Sequence, residues 1–256
     1  LSLGDGDATV QALDDINLTV RPGELVAVVG PSGAGKSSLL AAAGALPSPD
    51  SGSVTINGTN LAALNGAERA RFRLRNIGFV FQSGNLIPAL TAGEQLELVH
   101  RMAFGKKSFD PRELLGAVGM EHKLKSRPDQ LSGGQQQRTA LARILSSEPK
   151  TILLDEPFSA LDSYLQYQLE VELTETLEHF PGTIIWVAHD RGEVFRNCRR
   201  VCVLDQGCSQ GTYTLRELFH QPATEAAARL SGCKNYADAV PNGNEVIVPE
   251  WGLTLH

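Results

Sequence analysis

GPSGAGKS, Gly30–Ser37, is the stretch on which the fold turns. It fits G-x-x-x-x-G-K-[ST], and its flanks supply the context that pattern requires, a strand before it and a helix after it. Upstream, LVAVVG (Leu25–Gly30) is a nearly continuous apolar run, as in a strand buried on both faces. Downstream, SSLLAAAGAL (Ser37–Leu46) has helix-forming composition and ends at the Pro47 and Pro49 breakers. In such a loop Gly30, Gly33 and Gly35 let the backbone turn tightly, so that successive N–H groups point at phosphate oxygens. The helix starting near Lys36 adds the positive end of its dipole. Pro31, Ser32, Ala34 and Ser38 complete the expected cradle. Lys36 is placed to reach the β- and γ-phosphates of a nucleotide, and the Ser37 hydroxyl to ligate Mg²⁺. Without its flanks the string would read as a glycine turn that contains a lysine.

Working outward, short β-rich runs alternate with longer helical ones, the pattern of an α/β domain. Ala12–Val20 alternates like a strand, and Gly52–Gly58 reads as a strand ending in an Asn-Gly turn. Ile77–Gln82, Thr151–Asp155, Thr183–Ala188 and Val201–Leu204 read as further strands. Leu96–Phe104 and Pro111–Val118 read as helices, as do Glu170–Phe180, with Val171, Leu173, Leu177 and Phe180 as its core stripe, and Leu215–Ser231. From Gly232 the pattern weakens to short strand candidates such as Glu245–Val248.

Two more strings carry chemistry. ILLDEP, Ile152–Pro157, ends a buried strand in two acids. Asp155 is expected to hold magnesium through water, and Glu156 to polarise the water that attacks the γ-phosphate. Taken alone, two solvated acids at a strand end are the blander reading; a phosphate loop needs such a partner strand. LSGGQQQR, Leu131–Arg138, puts Ser132, Gly133, Gly134 and Gln135 at the start of a second helix, where free N–H groups and a hydroxyl make another anion site. By itself it could be a simple helix cap. Two phosphate-grasping loops for one γ-phosphate are resolved most economically by a head-to-tail pair of chains, each 131–135 loop closing on the other's Lys36 loop.

Composition sets outer limits. The chain has 256 residues, a net charge of −6, 42% hydrophobic and 20% charged residues, an ordinary globular balance with no basic field for nucleic acid. Its apolar runs are far below the roughly 18–20 residues of a membrane helix. The start, LSLGDGDATV, lacks the basic and apolar regions of a signal peptide and begins with Leu1 rather than Met, as in a trimmed piece of a longer protein. Cys198, Cys202, Cys208 and Cys233 show no CxxC or His-Cys spacing, which favours thiols in a reducing compartment over a metal or disulfide framework.

With these strings in order, the chain resembles the nucleotide-binding subunit of an ABC transporter. The likeness runs over about residues 1–220 and includes a glutamine at Gln82 (FVFQ), the SALD string at Ser159–Asp162 and a histidine at His189 (VAHD). It implies an α/β P-loop NTPase core (RecA-like) spanning 1–82 and 136–231, a helical subdomain at 83–135, and at 232–256 the start of a β-rich tail that stops too early to close a barrel. It also implies ATP and Mg²⁺ as ligands, a homodimer or paired ATPase subunit, permease partners, and a peripheral place on the cytoplasmic face of the plasma membrane. By the same likeness Gln82 senses the γ-phosphate and Mg²⁺, Asp162 organises the dimer seam, and His189, 33 residues after Glu156, orients the catalytic water. One departure concerns adenine: the family stacks it on an aromatic ring, and Leu3 stands at the aligned position, a loss of about 1 kcal/mol in affinity.

The two halves point to different transporters. ALDDINLTVRPGE and RNIGFVFQSGNLIPALTAGEQLEL resemble the ATPases of lipoprotein release and macrolide export. From about Leu131 onward, EPFSALDSYLQYQLEVELTETLEHFPGT, ARLSGCKNYADA and VPEWGLTL resemble molybdate importers, so molybdate-like anion import is the first expectation and export the alternative. A soluble ABC ATPase of DNA repair would need a long coiled-coil insertion, and the 49-residue interval from Gln82 to Leu131 holds none.

Overall fold

The computed structural model describes residues 1–4, 10–81, 84–158, 163–178, 180–233, 237, 239–243 and 245–255. Two short strands, β1 (Ser2–Leu3) and β2 (Val10–Gln11), pair antiparallel at the start, ahead of β3 (Leu25–Val29) and α1 (Lys36–Ala43). The hairpin of β4 (Thr55–Ile56) and β5 (Thr59–Asn60) turns through Asn57 and Gly58, with φ of 49° and 77°, as the Asn-Gly pair requires. Helix α2 (Gly66–Asn76) leads into β6 (Ile77–Val80). Then α3 (Ala92–Phe104), α4 (Pro111–Ala117) and α5 (Gly133–Leu145) precede β7 (Thr151–Asp155). After them come α6 (Ser163–Glu178), β8 (Thr183–Val187), α7 (Arg191–Asn197), β9 (Arg200–Asp205) and β10 (Cys208–Thr214). The chain finishes with α8 (Leu215–His220), α9 (Glu225–Ser231) and an antiparallel sheet of β11 (Val240–Asn242), β12 (Glu245–Val248) and β13 (Leu253–Leu255).

The central sheet runs β10-β9-β3-β8-β7-β6, parallel throughout except for β10 at its edge. Parallel strands bring all their C-terminal ends to one edge, the place where open α/β sheets bind ligands. Each strand alternates its side chains between two cores. Val26, Val28, Leu153, Ile185 and Val187 pack with Leu39, Leu40 and Ala43 of α1 on one face. Ala27, Val29, Ile152, Leu154, Ile184 and Trp186 pack with Leu141 and Ile144 of α5 and Leu173 and Leu177 of α6 on the other. Burial on both faces is why these strands read as unbroken apolar runs.

Four expectations are corrected. Ala12–Val20 forms no ladder: Asp15 breaks it at φ 47°, and Asp14 N–H and Asn17 N–H instead bond Gly207 O (2.7 Å) and Ser209 Oγ (2.9 Å). Its alternation still directs Ile16, Leu18 and Val20 toward the core, where Leu13, out of that phase, is buried; a period of two fixes a face but does not supply a partner strand. Leu215–Ser231 is two helices, because Pro222 cannot continue the first, and Thr224 caps the second by accepting Ala227 N–H (3.2 Å). The unforeseen strand β10 folds back on β9 through Gln206 and Gly207, both at positive φ (47° and 79°).

The fourth concerns α6, where Val171 is 41% exposed and the inward position beside Leu173 and Leu177 is taken by Glu170, 2% exposed. Its carboxylate accepts Arg196 Nε–H and Nη2–H, both 2.7 Å, and Asn197 Nδ2–H at 2.6 Å. A buried carboxylate is tolerated only while so paired. Arg196→Ala is therefore expected to cost about 2–3 kcal/mol, below the range for a fully enclosed pair because Asn197 still donates. Urea denaturation reads this directly; a change under about 0.5 kcal/mol would show that the pair is not needed.

Candidate active site

The loop after β3 fits only because two of its residues lack side chains. A Cβ on Gly30 would lie 2.2 Å from Leu204 O, and one on Gly35, at φ 95°, would lie 2.5 Å from Ala12 O. Any side chain there would push the loop off the end of the sheet. Pro31, Ser32, Gly33 and Ser37 are exposed, Gly35 and Ser38 half-buried, and Ala34 is buried as the loop's anchor. Lys36 opens α1 and is itself buried, its ammonium donating to Gly30 O (2.9 Å) and Pro31 O (3.0 Å). Burial holds its pKa below the usual lysine value, while the Glu156 and Asp155 carboxylates pull it back up.

Strand β7 lies two strands from β3, with β8 between them, and delivers its two acids to the same edge. Ser37 Oγ–H donates to Asp155 Oδ1 at 3.2 Å, so two of the three residues expected at magnesium already adjoin. Hydroxyl and carboxylate oxygens are the hard donors that Mg²⁺ takes. Burial raises the Asp155 pKa above the usual carboxylate value, opposed by the Ser37 hydrogen bond and by Lys36 and His189. Among the described residues no group of three or more His, Cys, Asp or Glu forms a metal cage of its own.

Glu156 sits at φ 45°, a left-handed conformation that costs a residue with a Cβ about 1–3 kcal/mol. Its N–H bonds Val187 O (3.1 Å), which ties the turn after β7 to β8. That turn aims its carboxylate across the edge at the residue following β8: His189 Nε2 lies 2.5 Å from Glu156 Oε1. The imidazole is half exposed and the carboxylate largely buried. Behind them, Phe158 packs edge-on against Trp186, ring centroids 5.8 Å apart, and Trp186 Nε1–H donates to Glu193 Oε1 at 2.7 Å. Sequence reasoning missed Trp186 and Glu193, since nothing in a lone Trp or a helical Glu marks a contact seven residues apart across a turn.

Ser132 caps α5 in a reciprocal box, its Oγ accepting Gln135 N–H (3.3 Å) and Gln135 Oε1 accepting Ser132 N–H (3.1 Å). Ser132 and Gly133 are exposed; Gly134 is buried. Among the described residues no hydrogen bond or ion pair joins this cap to Gly30–Ser37. The structure thus gathers Lys36, Ser37, Asp155, Glu156 and His189 at one edge and leaves Ser132–Gln135 apart from them. Gln82, Asp162 and the side chain of Leu3 lie outside the described residues.

A family model described as ABC transporter matches residues 13–159. A sulfate/thiosulfate import ATP-binding protein CysA of Nephroselmis olivacea is 37% identical over 231 residues, covering 89% of this chain and 66% of that protein. A probable CysA of Chlorella vulgaris is 37% identical over 227 residues, with 88% and 94% covered. A macrolide export ATP-binding/permease protein MacB of Marinobacter nauticus is 42% identical over 192 residues, with 74% and 30% covered. The chain therefore spans just under two thirds of the Nephroselmis relative and less than a third of the exporter. Among solved structures, a dimeric, post-hydrolysis state of the ATP-binding cassette MJ0796 bound to ADP and Pi superimposes with a TM-score of 0.75 at 36% identity, covering 84% of this chain and 95% of that one. The phosphate loop on the parallel sheet, the facing acids and these matches have one common reading: the chain belongs to the ABC transporter family, as an ATP-binding cassette.

Proposed function

We propose that the chain binds and hydrolyses ATP as a head-to-tail pair and drives an oxyanion-importing permease from the cytoplasmic face of the membrane. The observation that carries this reading is the 2.5 Å approach of His189 to Glu156, on the sheet edge that also bears Lys36 and the Ser37–Asp155 pair. Loop N–H groups of Gly30–Ser38 bind the phosphates, and Lys36 releases its two carbonyl partners to meet the β- and γ-oxygens. Glu156 accepts a proton from the attacking water, and His189 holds that carboxylate and the γ-phosphate in line. Mg²⁺, held by Ser37 and Asp155 with Gln82, would neutralise charge on the transferring phosphoryl group. Ser132, Gly133, Gly134 and Gln135 of the second chain close on that phosphate, and Asp162 lies at the seam. In a closed pair, ATP binding itself shifts the open–closed equilibrium, and Gln82 with the helical segment 83–135 passes the movement to the permease.

For the cargo, the relatives named above are sulfate/thiosulfate importers and a macrolide exporter. The importers among them support an oxyanion, and none of them lends anything to molybdate in particular. A sulfate-type permease is accordingly expected to stimulate ATP turnover on reconstitution, by about tenfold or more, a typical size for coupling between sites. Molybdate-type and export-type permeases serve as the comparison. Stimulation by the export type alone would reverse the direction of transport.

A further inference from the structure

The turn Ala188–Asp190 that carries His189 is closed at both ends on one residue, Glu193, through its side chain on the β8 side and its backbone N–H on the α7 side. On the β8 side, the buried Trp186 gives its indole proton to Glu193 Oε1. On the α7 side, Asp190 Oδ1 accepts the Glu193 N–H at 2.8 Å. The same indole ring supports Phe158, two residues after Glu156, so both members of the Glu156–His189 pair are referred to one buried aromatic.

We propose that Glu193 is a positioning residue: by holding the Trp186 indole it fixes the His189 turn and, through Phe158, the Glu156 turn, so that the two side chains meet. The proposal rests on the catalytic roles given to Glu156 and His189 above. Neither Glu193 nor Trp186 touches the reacting atoms, so their loss should misalign the pair while leaving the phosphate loop intact. Displacing a catalytic group by a fraction of an ångström costs about tenfold or more in rate.

The carboxyl is also a titrating one. Burial pushes it up to about 7, opposed by the Trp186 hydrogen bond and by Arg196, and reinforced by Glu170 from α6 and by Asp190. The Cys198 thiol, just beyond α7, also lies beside it. Because the folded value lies above the ordinary 4.5, its contribution to stability is full at low pH and falls as the pH rises toward about 7. Above about 7 the indole proton is shared with a charged oxygen, a stronger and shorter hydrogen bond.

Two measurements test the proposal. Trp186→Phe keeps the ring against Phe158 and removes only the donor; it is expected to lower kcat about tenfold with the KM for ATP within about twofold. Glu193→Leu should match it, and Glu193→Gln, which keeps an acceptor, should recover most of the turnover. A Trp186→Phe kcat within about twofold of the parent, or a loss confined to KM, overturns the proposal. In a Trp251→Phe background Trp186 is the sole tryptophan; its emission should titrate with a midpoint near 7 that vanishes on adding Glu193→Gln. An emission identical in the parent and in Glu193→Leu at every pH from 5 to 9 would remove the carboxyl from the indole and overturn the proposal as well. Glu156→Gln, run alongside, separates the two readings: if it keeps full turnover the catalytic assignment itself is wrong, whatever Trp186→Phe does.

Discussion

Glu156→Gln is expected to lower ATP turnover by about a thousandfold while leaving ATP binding unchanged. The amide is nearly the shape of the carboxylate but takes up no proton, and removing a general base costs about 10²–10⁴ in rate. The proposed phosphate contacts do not include the Glu156 side chain, and the Glu156 N–H still bonds Val187 O. Its second effect is on assembly. Where ATP bridges two chains and cannot be consumed, the closed pair accumulates, so the variant should elute as a dimer with ATP and as a monomer without it. Size-exclusion chromatography with light scattering reads the first effect's partner, and a phosphate-release assay the first. A variant that stays monomeric with ATP and turns over within about tenfold of the parent refutes the role.

Ser132→Arg is expected to abolish turnover, by about a hundredfold or more, the scale for removing a donor aimed at developing charge. The isolated chain should still bind ATP, since the cap and the Lys36 loop share no hydrogen bond or ion pair among the described residues. The arginine also forfeits the helix cap, which costs about 1 kcal/mol and is too little to unfold the chain. A mixing experiment sharpens the test. In a head-to-tail pair, a Ser132→Arg chain joined to a Lys36→Ala chain contains one composite site with both a sound loop and a sound cap. Two inactive proteins should therefore recover part of the activity when combined. No recovery from the mixture, with each variant shown to be folded, argues that each chain holds a whole reaction centre.

How far the sequence could be read depended on which force sets each feature. The strands buried on both faces and the GPSGAGKS turn are local patterns: β3, β7 and β8 lie within a residue of expectation, and α1 ends three residues before the expected Leu46. The Ala12–Val20 segment failed because ladder pairing is a property of two segments, and its alternation was satisfied by core contact alone. The α6 stripe failed at Val171 because Glu170 reaches the interior through Arg196, which lies 26 residues further along the chain. At the site, the residue types at the strand ends were legible from motif spacing. Their convergence was not, since it follows from the strand order β3-β8-β7 and from the backbone at Glu156. The Trp186–Glu193 bond lay beyond reach because neither a lone Trp nor a helical Glu marks a contact across the turn between them.

The reciprocal cap at the start of α5 bears on how such a pair of chains could come apart and rejoin at every cycle. A hydroxyl offers two lone pairs and a single hydrogen. Ser132 uses a lone pair to receive the Gln135 N–H, which keeps its hydrogen available for an oxygen arriving from outside. The first turn of that helix can therefore greet and release a visiting anion without unwinding, and the encounter carries no refolding toll.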